Sequence, residues 1–298
     1  LARPHSGPPE DANAGGCRLG RRWGKALGRR QARNASGADQ ASARGAEQKE
    51  KGMTRDEILA ASSMPLCSPS YPKGPYRFVD REYLLIHYES DPDVIRAILP
   101  EPLEPDGNHV IFEWMKMFDS SGFGSYQESG INIAARWNGT PCNYSAMMFL
   151  DDESPTTGGR EIWGFPKKIG NPDLKVIHDT LTGTLHYDER EVAMGTMGYK
   201  YKSLAQDHAE TLDGMRKLSV NLKFIPDVDG GPKIAQLVGY YLTDITLKGA
   251  WAGPARLHLV PHVNCRVADL PVRKVLFGRH LIADLTLPYG KVLHDYLA

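Results

Sequence analysis

The chain has 298 residues, 41% hydrophobic and 24% charged, with a formal net charge of zero. That balance fits a soluble globular protein and offers nucleic acid no net attraction, and no run approaches the ~18 apolar residues of a membrane-crossing helix. The neutrality hides a division: residues 1–52 hold 11 Lys/Arg against 5 Asp/Glu, leaving 25 against 31 for the remainder.

The basic head lacks Val, Ile, Phe, Tyr and Met and is rich in Gly, Ala, Arg, Ser and Gln. Such a segment buries too little apolar surface to offset the entropy of ordering, so residues 1–52 are expected to be a disordered extension. It reads as an upstream gene-start extension, a structureless tail or an organelle-targeting peptide, the last opposed by Glu10 and Asp11. Met53 opens a more protein-like run, and a single folded domain is expected over 53–298. Four scattered cysteines (Cys17, Cys67, Cys142, Cys265) form no CxxC pair, which fits a reducing, cytoplasmic compartment.

From Tyr71 onward, short period-two segments separated by turn residues predict an antiparallel β protein. Tyr83–Tyr88 reads as a strand, and Asp91-Pro92 as the cap and start of a short helix ending before Pro100. Val110–Phe118 is a strand with Val110, Phe112 and Trp114 on one face and Glu113 on the other. Gly122–Gly130 is too glycine-rich for a long helix, and Tyr144–Leu150 is a short apolar strand carrying Met147, Met148 and Phe149. Leu181–Tyr187 and Val192–Tyr199 form a hairpin about Asp188-Glu189-Arg190. Val220–Ile225 and Ile234–Leu247 flank Asp227-Val228-Asp229-Gly230-Gly231-Pro232, a second turn. Leu257–Val260 and Leu281–Leu287 add strands, while Leu204–Leu212 and Val272–Phe277 carry helical patterns. The expected fold class is mainly β (α+β): one curved antiparallel sheet, a closed or nearly closed barrel, with a pocket inside and a few short helices.

Metal and nucleotide chemistry find little support. The ten histidines show no HExxH or His/Cys cluster, and Pro261 separates His258 from His262. Gly122-Phe123-Gly124 stands outside any βαβ pattern, Ser70-Tyr71-Pro72-Lys73 has a proline where SxxK needs a helical turn, and GxSxG is absent.

The informative segment is Gly159-Arg160-Glu161-Ile162-Trp163-Gly164-Phe165-Pro166-Lys167-Lys168. An adjacent lysine pair is ordinarily a solvated surface feature. Here it follows Trp163, Phe165 and Pro166, and an extended backbone would put Lys167 on their side and turn Lys168 away. A lysine with pKa near ~10.4 is neutral in about one molecule in 2,500 at pH 7, and lowering it to ~6 costs roughly 6 kcal/mol. A second ammonium ~10 Å away supplies at most ~1.7 kcal/mol at an effective dielectric of ~20. Burial must therefore do most of the work.

Taken in order over about 246 residues, the chain resembles the acetoacetate decarboxylase family. The resemblance rests on Gly74-Pro75-Tyr76, Arg81-Glu82-Tyr83, Pro100-Glu101-Pro102-Leu103-Glu104, Glu128-Ser129-Gly130 and Gly159-Arg160-Glu161. It continues through Pro166-Lys167-Lys168, Met197-Gly198-Tyr199-Lys200, Trp251-Ala252-Gly253-Pro254 and His294-Asp295-Tyr296-Leu297. In acetoacetate decarboxylase, activation of a lysine by desolvation or a neighbouring cation is already known chemistry.

The resemblance implies Lys167 as the Schiff-base lysine and Lys168 as its neighbour. It implies Glu128 and Glu113 as active-site carboxylates and Arg81 as a pocket arginine. Without it, these would read as a turn carboxylate, a strand-edge charge and a surface ion-pair member. Phe165, Trp163 and Met147 are the candidate apolar contacts for substrate, and Phe165 stands where some family members have tyrosine. The implied reaction is decarboxylation of acetoacetate, a 3-keto acid, to acetone and CO₂, with no metal or organic cofactor and a large homo-oligomer as the working form. The alternatives are a Schiff-base aldolase-dehydratase or hydratase of the same fold, and a non-catalytic small-ligand-binding barrel.

Overall fold

Alternation of side chains between the two sides of an extended backbone organises the chain into strands with two differently used faces. A computed structural model describes residues 52–298. The expected disordered head, residues 1–52, lies outside the described residues except for Gly52. Arg55–Ala298 make up one unit.

The first strands are β1 (Tyr76–Glu89), β2 (Glu104–Met117), β3 (Asp119–Ser120), β4 (Tyr126–Trp137), β5 (Thr140–Leu150) and β6 (Lys167–Ile169). They are followed by β7 (Asn171–Ile177), β8 (Thr180–Tyr187), β9 (Arg190–Gly198), β10 (Lys202–Ser203) and β11 (Leu218–Pro226). The last are β12 (Pro232–Tyr240), β13 (Thr243–Gly253), β14 (Ala255–Leu259), β15 (Lys274–Leu287) and β16 (Lys291–Asp295). Among the described residues, four short α-helices accompany them: α1 (Arg55–Ala60), α2 (Pro92–Ile98), α3 (Glu153–Gly158) and α4 (His208–Met215).

The large sheet runs β10-β13-β15-β1-β2-β4-β5-β11-β12-β16, with β3 on β1 and β6 on β5; the small one runs β14-β9-β8-β7. The closed antiparallel barrel of the sequence expectation is corrected in two respects. The ends of the large sheet, β10 and β16, are not paired with each other, so it is open. The β5–β11 and β5–β6 ladders are parallel, so the sheet is mixed.

Alternation along β1, β2 and β4 divides the interior. Leu84, Ile86, Val110, Phe112, Trp114, Ile131 and Ile133 face one core, which they share with Leu181, Leu185 and Val192 of the small sheet. Glycines permit this approach: a Cβ on Gly183 would lie 2.3 Å from Trp114 Cδ2, and one on Gly195 2.4 Å from its Cζ3. The second core contains Phe78, Tyr83, Met115, Tyr126, Met148, Trp163, Phe165 and Leu281, and includes much of the cavity wall.

Three local expectations change. Val272–Phe277 is not helical: Lys274 and Val275 pair with Glu89 and Tyr88, so long-range strand pairing overrides the local pattern. Ile234–Leu247 divides into β12 and β13. Asp91 occupies the N-cap position of α2 but makes no side-chain capping bond, because Arg273 Nε and Nη2 donate to its carboxylate at 2.7 and 2.6 Å.

Candidate active site

The lysine pair is carried on an unusual connection. α3 passes directly into a π-helical turn, Gly159–Trp163, which ends at Gly164 with φ 75°. A side chain at Gly164 would be strained by that angle and would also lie 2.3 Å from Lys223 Cα. Beyond it, Lys167–Ile169 add to β5 as a parallel strand, with Lys167 opposite Met148. Arg160 Nη1 donates to the Lys167 carbonyl at 2.9 Å and ties the turn to this strand.

Extended geometry sends the two lysines opposite ways, as the sequence indicates. Lys167 is 5% exposed and lines a cavity of about 260 Å³. Lys168 is exposed and is not among the cavity-lining residues; its ammonium donates to the Asn264 carbonyl and lies 4.9 Å from the Tyr187 ring centre. Trp163 and Phe165 share the cavity with Lys167, and Trp163 is anchored by an Nε1–H donated to the Pro288 carbonyl at 2.9 Å.

Lys167 Nζ lies 3.1 Å from Glu128 Oε2, 3.1 Å from the Pro155 carbonyl oxygen and 5.0 Å from the Phe165 ring centre. Gly159 leaves room for it: a Cβ there would fall 2.7 Å from Lys167 Cδ and 3.0 Å from Nζ. Burial is the main force lowering the Lys167 pKa; Glu128 opposes it and Arg81 adds to it.

Arg81, Glu113 and Glu128 complete the cluster, and all three line the same cavity. Arg81 Nη2 stands 3.4 Å from Glu128 Oε1, and its guanidinium lies 4.8 Å from the Tyr83 ring centre. Burial is the largest influence on Arg81 and opposes its charge, but Tyr83, Glu128, Tyr126 and Glu113 together hold its pKa above the usual value. Burial pushes Glu113 up to about 7, with Arg81 opposing and Glu128 assisting. With Lys167 and Glu113 neutral, the cluster reduces to one Arg81–Glu128 ion pair. A cation newly formed on Lys167 would meet the Glu128 carboxylate at once.

The substrate-contact expectation for Met147 is corrected: Met148, not Met147, lines the cavity. The cause is a register shift in the β4–β5 ladder, where Ile131 pairs with Met147 but Asn132 pairs with Ser145. One extra residue reverses the alternation, so Asn143, Ser145 and Met148 share the cavity side. Sequence reasoning also missed Tyr83, Tyr126 and Tyr240. Tyr83 was legible, because Arg81, Tyr83, Leu85 and His87 alternate along β1 and all line the cavity. Tyr240 comes from a distant strand and stands 5.4 Å, ring centre to ring centre, from Phe165. Among the described residues, no group of three or more His, Cys, Asp or Glu could hold a metal ion.

Residues 63–297 match the family model described as acetoacetate decarboxylase. The acetoacetate decarboxylase of Acidiphilium cryptum is 54% identical over 238 residues, covering 80% of this chain and 96% of that protein. That of Burkholderia multivorans is 53% identical over 239 residues, with the same coverage. The crystal structure of acetoacetate decarboxylase from Legionella pneumophila superposes with a TM-score of 0.77 at 46% identity, covering 84% of this chain and all of that one. A family match over most of the described chain, joined to a buried lysine beside a carboxylate, leads to one assignment: the chain belongs to the acetoacetate decarboxylase family.

Proposed function

We propose that this protein is a carboxy-lyase converting acetoacetate to acetone and CO₂ through a Schiff base on Lys167. The observation that carries the reading is a lysine 5% exposed, depressed in pKa by burial, and 3.1 Å from a carboxylate that lines the same cavity.

In the reaction, the neutral Lys167 amine attacks the ketone carbon, and loss of water from the resulting carbinolamine forms a protonated imine. The bond to the carboxylate carbon then breaks. Its electron pair flows into the imine, leaving CO₂ and an enamine. Protonation of the enamine at carbon restores the imine, and water releases acetone and the free lysine. The imine is the electron sink, so this chain's own side chains are sufficient for the chemistry. Glu128, in contact with Nζ, is the first candidate for moving protons at the carbinolamine and stabilising the iminium charge. Glu113, half-protonated near pH 7, is the second. Arg81 positions Glu128 and offers a cation to the incoming carboxylate.

The test is borohydride trapping with acetoacetate followed by mass mapping, together with assay of CO₂ release. The expected adduct lies on Lys167 and disappears in Lys167→Ala. An adduct on another lysine would overturn the site; turnover of pyruvate plus an aldehyde without CO₂ release from acetoacetate would overturn the reaction.

A homo-oligomeric working form belongs to the same reading and is supported by Phe224 and Val292, apolar and exposed on strands of the β11–β12–β16 edge. A cytoplasmic setting is supported by the free thiols of Cys67, Cys142 and Cys265. No described helix is long and apolar enough to cross a membrane.

A further inference from the structure

The cavity has a second polar end. Along β1, Arg81 lies at the lysine end, and Tyr83 and Leu85 lead to His87; at ~3.3 Å per residue this spans about 20 Å. A four-carbon keto acid is on the order of 5 Å long and cannot touch both ends at once. The far end is lined by His87, His109, Lys217 and Arg279, with Asn143 and Ser145 also on the wall.

This end carries unused hydrogen-bonding capacity. His87 is 7% exposed, its Nδ1 is 3.0 Å from His109 Nε2, and its own Nε2 has no partner among the described residues. Arg279 Nε is likewise buried and unpartnered, although Nη2 reaches Glu210 Oε1 at 3.2 Å. The Lys217 ammonium forms no hydrogen bond or ion pair among the described residues. Burial, and then the neighbouring cations, disfavour charge on both imidazoles, so the pair is neutral near pH 7. When His109 Nε2–H donates to His87 Nδ1, the His87 Nε2–H becomes a buried donor. The opposing charges are accounted for: Glu210 is 75% exposed and engaged with Arg279, while Asp106 and Glu89 act on His109. Two cations and unpartnered donors on one wall form a site that an anion completes.

We infer that this outer chamber is a second anion site, which holds a small carboxylate between Lys217, Arg279 and His87 before it passes inward to Lys167. The inward passage rests on Lys167 as the reacting group; the anion site does not.

The probe is butyrate, which has no ketone and forms no imine, titrated calorimetrically into Lys167→Ala protein. Saturable binding is expected. Lys217→Gln with Arg279→Gln in that background should weaken it by about 10-fold or more. Glu210→Gln, which removes the same helix contact but keeps both cations, should retain it. Equal butyrate affinity with and without the outer cations, or loss in Glu210→Gln equal to that in the double variant, overturns the site. Should the double variant fail to fold, Lys217→Gln alone serves, since its ammonium supports no other side chain. In the otherwise unaltered enzyme, Lys217→Gln should raise KM for acetoacetate about 5-fold with kcat within about twofold, and flatten its salt dependence. An unchanged KM overturns the inward passage. Absence of acetoacetate turnover in the unsubstituted protein would instead count against the decarboxylase reading, leaving the butyrate result to decide the anion site.

Discussion

Arg81 is the cation that acts on Lys167, whereas its sequence neighbour Lys168 faces the opposite side of the strand. Removing Arg81 takes away a nearby positive charge and leaves Glu128 to favour the ammonium. Arg81→Gln should therefore move the acid limb of the kcat/KM–pH profile to higher pH. Lys168→Gln should leave that limb within about 0.3 unit, as expected for a solvated charge at a distance. Equal displacement in both variants would return the electrostatic role to Lys168. Glu113 makes a separate prediction through stability. Its carboxyl rises from 4.5 to about 7 on folding, so the folded chain retains a proton that the unfolded chain releases across that window. Stability relative to low pH is lost as pH rises through about 7, by roughly 3 kcal/mol at ~1.36 kcal/mol per unit. Urea unfolding should find Glu113→Gln stabilised against the native protein at pH 8 by up to about 3 kcal/mol more than at pH 4. A pH-independent difference would falsify the burial argument.

The α3–π turn–β6 connection separates the needs of the site from those of the fold. At Gly159 an added methyl collides with the Lys167 side chain itself, at 2.7 Å from Cδ. Gly159→Ala should displace the amine and reduce kcat by about 100-fold, while the melting temperature stays near that of the native protein. At Gly164 the same change meets backbone, 2.3 Å from Lys223 Cα, at φ 75°. Gly164→Ala should therefore lose the folded state as well as activity, read by circular dichroism. If Gly159→Ala keeps full activity, Lys167 does not need the position seen here. None of this turn was legible beforehand: Gly-Arg-Glu-Ile-Trp has no distinctive helical period, and its Ile162 and Trp163 carbonyls accept hydrogen bonds from Lys223 and Asn221 of the distant β11. The strand that follows was legible, since an extended run after Pro166 separates Lys167 from Lys168 by simple alternation.

The two sheets meet through Trp114, whose ring lies over Gly183 and Gly195 while Glu113, one residue earlier, faces the cavity. Packing and chemistry thus use opposite faces of β2. Trp114→Ala should destabilise the protein by about 3–5 kcal/mol in chemical unfolding, yet still permit trapping on Lys167 at low temperature. Destabilisation below about 1 kcal/mol would mean that the small sheet is held by other contacts.

Short-range patterning determined a great deal by itself: the β-rich class, the hairpin about Asp188, the buried face of Val110–Trp114 and the opposite directions of the lysine pair. All follow from the two-residue repeat of an extended backbone, which any segment expresses without its partners. The tertiary structure alone decided that the large sheet stays open, that Met148 replaces Met147 at the cavity, and that Arg81 rather than Lys168 bears on the amine. Each of these depends on register or proximity between segments distant along the chain. A single bulge or a parallel pairing changes that arrangement without leaving a mark on the local pattern.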